Sequence, residues 1–129
     1  MIKKEKVDDL ETLTAQLGSI HTELTALSRK SPNDGVNKFK LKFINTVIER
    51  CNTFLGDPYR PFKEFATFDE EEVVSNSDAT FMVSLYLEAM EKFRSDHIKE
   101  EEDGFWYYDV SKGEGLRTSS PRRLRRNDG

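Results

Sequence analysis

Three stretches of helical periodicity, turn-forming residues between them and one short run of strand-favouring aromatics predict a mainly α fold. The expected architecture is a small three-helix bundle with an aromatic-rich loop, a short extended C-terminal segment and a disordered basic tail. The chain of 129 residues is about one domain long, enough to bury a core without covalent staples. Residues 1–110 are expected to form that domain and residues 111–129 the tail.

The first helix is expected over residues 4–29. Leu10, Leu13, Leu17, Ile20, Leu24 and Leu27 recur at alternating spacings of three and four, which places them on one narrow stripe of a helix. Such a seam is what one helix offers another, in a coiled coil or an antiparallel hairpin. Ser31-Pro32-Asn33-Asp34-Gly35 then gathers turn and helix-breaking residues and predicts a chain reversal. The second helix is expected over residues 37–55, with a broad apolar face of Phe39, Phe43, Ile44, Val47, Ile48, Cys51, Phe54 and Leu55. Gly56 is its expected stop.

Asp57-Pro58-Tyr59-Arg60-Pro61-Phe62 reads as a stiffened loop, because each proline restricts its own φ and the conformation of the residue before it. Phe62, Phe65 and Phe68 follow at intervals of three and predict a short helical or 3₁₀ turn pressing phenyl rings on the bundle. Ser75 with Asp78 resembles a capping box, so the third helix is expected over residues 77–98, with Phe81, Met82, Leu85, Tyr86, Ala89, Met90 and Phe93 on its apolar side. An acidic turn leads to Phe105-Trp106-Tyr107-Tyr108-Asp109-Val110, expected as an extended segment at 105–110 with no evident partner strand. Beyond it the tail has too few apolar residues to offset the entropy of ordering.

Composition narrows the function classes. Hydrophobic residues make up 36% and charged residues 34%, yet nine Phe, four Tyr and one Trp supply enough large side chains to anchor packing. The single cysteine excludes an internal disulfide and a multi-cysteine zinc site. No apolar stretch approaches bilayer length and the opening residues carry no secretory pattern, so a cytoplasmic location without membrane association is expected. Net charge is −4, but residues 111–129 hold six Lys/Arg against two acids, so an acidic body carries a basic tail.

Sites of chemistry are sparse. His97 among Asp96, Glu100, Glu101 and Glu102 lacks the converging partners of a metal or acid/base site, and a cation at a helix C-terminus accounts for its position. Cys51 falls on an apolar helix face, where thiols are inert. The seven glycines are scattered, so no phosphate-cradling loop is present. No catalytic, cofactor-binding or metal-binding residues and no cofactor are therefore assigned. The expected function is a non-enzymatic protein-interaction or adaptor module. Leu10, Leu17 and Leu24 would form the seam to a partner protein or a second copy, and Tyr59, Arg60 and Phe62 would add specificity as aromatic and arginine anchors. The alternative is a nucleic-acid accessory protein. It would grip phosphate with Arg122, Arg123, Arg125 and Arg126 and stack bases on Trp106.

Overall fold

The computed structural model describes residues 1–110 and 115–122. Among these residues the chain forms α1 (Lys4–Lys30), α2 (Lys38–Tyr59), α3 (Asn76–Asp96), β1 (Ile98–Glu100), β2 (Trp106–Tyr108) and β3 (Arg117–Thr118). The mainly α prediction and the small helical bundle hold. No described helix is long and apolar enough to cross a membrane.

Local sequence explains the helix ends. Asn37 Oδ1 accepts the Lys40 amide at 2.8 Å and Ser75 Oγ accepts the Asp78 amide at 3.1 Å, each satisfying one of the free N–H groups at a helix start. The Ser31–Gly35 turn brings the starts of α2 and α3 together, with Val36 N–H donating to Val74 O at 2.8 Å and Gly35 bridged to Ser75. A Cβ on Gly35 would lie 2.9 Å from Val73 Cγ1, so this crossing requires glycine. The second helix runs past its expected stop: Gly56 breaks the ladder at φ +63°, and one more turn carries the chain to Tyr59.

α1 runs antiparallel to both other helices. Its C-terminal end meets the start of α3 through Ser28–Thr80 and Asn76–Ser31 hydrogen bonds, while Lys6 near its start donates to Phe54 O at 2.8 Å. α2 and α3 are therefore parallel, and residues 60–75 return the chain along their length. This return segment closes the α2–α3 seam. Asn45 donates to Phe68 O and accepts from Phe68 N–H, and Asn52 donates to Ala66 O while receiving the Tyr86 hydroxyl at 2.5 Å. Phe65 packs edge-on against Phe68 and beside Tyr86. Only a single turn forms at Phe62–Phe65. Beyond it the segment is held by these two asparagines, so the predicted plug is real but mostly not helical.

The C-terminal part departs further from expectation. α3 ends at Asp96, and Ile98 belongs to β1 rather than to the helix. The aromatic run does find partner strands: β2 is the middle strand of an antiparallel sheet in the order β1-β2-β3, with Ile98 opposite Tyr108 and Trp106 opposite Thr118. β3 lies inside the segment predicted to be a disordered tail. Residues 115–122 are instead laid on α3, because hydrogen bonds from that helix satisfy their backbone. The remainder of the predicted tail lies outside the described residues.

The core combines Leu10, Leu17 and Leu24 of α1 with Ile48 and Cys51 of α2, Val83, Tyr86 and Met90 of α3, and Tyr108 of β2. α1 packs chiefly against α3. Leu17→Ala is expected to lower unfolding free energy by about 2–5 kcal/mol without changing solution mass. Denaturant titration with light scattering checks both, and a loss below about 1 kcal/mol would place Leu17 outside the close-packed core.

Candidate protein-interaction surface

The heptad stripe is covered by its own chain. Leu10, Leu17 and Leu24 are 1%, 0% and 1% exposed, so the expectation that they form a seam to another chain is corrected: α3 fills that seam. The predicted loop anchors also serve the fold. Tyr59 meets the Phe93 ring edge-on at 5.1 Å and donates to Asp96 Oδ2 at 2.7 Å. That hydrogen bond holds the Asp96 carboxyl below its usual range and the Tyr59 phenol above its own. Arg60 Nη2 donates to Lys63 O and Phe65 O, folding the return segment over itself. Phe62 alone of the three stays largely exposed.

The nucleic-acid candidates are separated as well. Trp106 is half-buried in the middle strand, which removes the free ring that base stacking would use. Arg122 is anchored by its backbone N–H, donating to Glu91 Oε2 at 2.9 Å. Arg123, Arg125 and Arg126 lie outside the described residues.

Residues weighed for catalysis have structural partners. His97 stacks on Phe93 with ring centroids 4.1 Å apart and pairs its Nδ1 with Phe93 O at 2.7 Å. Cys51 is fully buried, and burial pushes its thiol up to about 12. Among the described residues no group of three or more His, Cys, Asp and Glu is arranged to hold a metal ion.

What remains open is the outer face of the α1–α2 pair. Phe39 and Phe43 are 73% and 51% exposed, and their rings meet edge to face with centroids 5.1 Å apart. The sequence places both on the buried side of α2, and here it misleads. At 100° per residue, Leu41, Ile44, Ile48, Cys51 and Leu55 cluster on one arc, while Phe39 falls nearly opposite it and Phe43 well to one side. Counting angles rather than apolar residues would have revealed the pair.

Phe43 borders a groove of about 550 Å³ whose lining includes Ala15, Ser19 and Ile20 of α1 and Val47 and Arg50 of α2. The groove continues past Gln16 and Arg50 into a more polar section of about 660 Å³ that contains Lys6, Asp9 and Glu49. At the Phe39 end Lys40 is ion-paired with Glu23 across the two helices. The Gln16 side-chain oxygen is buried without a hydrogen-bond partner, at the position shared by the two sections. An elongated trough thus has an apolar stretch at one end, both signs of charge at the other and an unfilled acceptor between them.

Comparison with known protein families, with characterised proteins and with solved structures finds no match for this chain. The site is consequently read from its own chemistry.

The Cys51 thiol provides a check on core closure. With its ionisation near pH 12, about one thiol in ten thousand is thiolate at pH 8, and burial removes access as well. Native protein is expected to leave a disulfide reagent such as DTNB unreacted at pH 8 and to react stoichiometrically once denatured. Rapid native labelling would show the α2 face to be open.

Proposed function

We propose that this protein is a non-enzymatic interaction module that receives an amphipathic helix of a partner protein along the α1–α2 groove, with Phe39 and Phe43 as its anchors. The observation that carries the reading is the exposed Phe39–Phe43 pair at the mouth of the groove. Two large rings held in water on a well-capped helix are an unusual feature of a surface that has no use for them. Rigid aromatics at the edge of a pocket are also the residue type that dominates binding energy in protein interfaces.

A helix is the occupant that suits the shape. α1 and α2 run antiparallel, and a third helix lies naturally in the depression between two others when small residues permit close approach. Ala15 and Ser19 supply small side chains at the groove. An incoming helix with apolar anchors facing Phe43, Ile20 and Val47 and charges of both signs beyond them would meet Arg50, Glu49 and Asp9. A glutamine or serine side chain on it would reach the Gln16 acceptor.

The test is comparative capture of wild-type protein and the Phe39→Ser/Phe43→Ser variant from lysate of the source organism, with and without nuclease. Because both rings are exposed, the variant is expected to keep its stability to within about 0.5 kcal/mol. It should lose at least about tenfold in recovery of nuclease-resistant protein partners. Equal recovery by the two proteins would refute the groove reading, and recovery that nuclease abolishes would support nucleic-acid binding instead.

A further inference from the structure

Residues 115–122 are held on the bundle by a contact remote from the Phe39–Phe43 groove. Glu91 and Arg94 lie one turn apart on α3 and are joined by two hydrogen bonds, Arg94 Nε to Glu91 Oε1 at 2.9 Å and Arg94 Nη2 to Glu91 Oε2 at 2.8 Å. Arg94 is only 7% exposed. Its remaining donors go to the C-terminal segment: Nη1 to Thr118 Oγ1 at 2.8 Å and Ser119 O at 2.9 Å, and Nη2 to Ser120 O at 2.8 Å. Glu91 Oε2 in turn accepts the Arg122 N–H at 2.9 Å. All five donors of the guanidinium are used.

Three of the four contacts to this segment are to its backbone and the fourth is to a hydroxyl. A pair that offers donors to two successive carbonyls and an acceptor to an amide two residues later recognises extended main chain, with little regard for side chains. Strand addition to an exposed sheet edge works by the same recognition. The edge is present too: β2 receives Leu116 O on the Tyr108 N–H at 2.8 Å and pairs with β3 over two residues.

The present occupant is lightly attached. Leu116 is its apolar side chain packed on the core, while the side chains of Ser119, Ser120, Pro121 and Arg122 are exposed. Beneath it a cavity of about 280 Å³ remains between Leu10, Met90 and Tyr108, so the segment covers the depression without filling it. Displacing it exchanges a few backbone hydrogen bonds and one leucine contact for those of the incoming chain.

We infer that the Glu91–Arg94 pair and the β2 edge form a binding site for an extended peptide, occupied in the isolated chain by its own residues 115–122 and open to a segment of another protein. That segment carries a small hydroxylated residue at the Thr118 position, two accessible carbonyls after it and an apolar residue at the Leu116 position to enter the cavity. The tethered segment competes at the high effective concentration of a short linker. Exchange in the wild-type protein is therefore weak until a better-fitting strand arrives.

The probe is a fluorescein-labelled peptide with the sequence of residues 115–122, its binding to the full-length chain read by anisotropy. Weakening the tethered competitor with Leu116→Gly and Thr118→Gly is expected to tighten peptide binding at least tenfold over wild type. Adding Glu91→Gln and Arg94→Gln is expected to abolish it. DTNB protection of Cys51 establishes that each variant is folded. Hydrogen exchange on unaltered wild-type protein supplies a measurement that needs no variant, since excess unlabelled peptide should accelerate exchange at residues 115–122 and nowhere in α2. Failure of the weakened variant to bind, binding that survives loss of Glu91 and Arg94, or unchanged exchange in the wild type would each overturn the proposal. A doubled solution mass without peptide would also overturn it, by assigning the site to exchange between copies of this chain.

Discussion

Burial of the α1 leucine stripe against α3 is the constraint on which the rest of the molecule depends. The stripe is narrow, and α1 begins at Lys3 without a side-chain cap, so its 27 residues owe their order to tertiary packing more than to local signals. Leu10, Leu17 and Leu24 meet Val83, Tyr86 and Met90 in one continuous core. Because α3 lies antiparallel to α1, it starts beside α2 instead of at the far end of it. The chain must then return the full length of the bundle through residues 60–75, which explains why a segment rich in proline and phenylalanine stands where a tight turn would otherwise suffice.

That return path creates a polar problem and solves it with few groups. A non-helical strand of backbone laid over a helix pair leaves carbonyls and amides facing apolar surface, and each unpaired one would be costly. Asn45 pairs with both backbone groups of Phe68, and Asn52 links Ala66 O to the Tyr86 hydroxyl. Two asparagines seven residues apart on α2 thus pin the segment at points two residues apart. The same economy appears at α3, where Arg94 and Glu91 satisfy the backbone of the last described residues. Side-chain polar groups, not apolar contacts, hold both irregular segments on the helices.

This division also explains what was legible in the sequence. The helices were, because periodicity and caps are local: Ser75 caps α3 and Ser31–Gly35 reverses the chain as their residue types require. The sheet was not. Ile98-Lys99-Glu100 resembles the end of a helix running into an acidic turn, and Arg117-Thr118 sits in a stretch with almost no apolar residues. Both become strands only because β2 lies between them, a long-range pairing that no window of local sequence reveals. Of the candidate surface residues, Phe62 is exposed, whereas Leu10, Leu17, Leu24, Tyr59 and Arg60 are used by the fold. Periodicity detects an apolar stripe but does not say whether the same chain covers it. Arg94 gave no signal at all, since its partners lie 24 to 26 residues away.

The opposite charges of body and tail invite an electrostatic account of why the C-terminal segment lies against α3, but the contacts contradict it. Glu91 is already neutralised by Arg94. Burial pushes its carboxyl up, and hydrogen bonds from Arg94, the Arg122 amide and Ser95 outweigh that and bring it below the usual range. What Glu91 takes from Arg122 is a backbone N–H, not the guanidinium. The Arg117 guanidinium sits 3.8 Å from the centre of the Phe105 ring, and neither Arg117 nor Arg122 is ion-paired among the described residues. The segment is thus attached through main chain, a hydroxyl, a leucine and a cation–π contact. Attachments of this kind are little screened by salt, and they leave the positive charge of the segment facing outward instead of consuming it against the acidic helices.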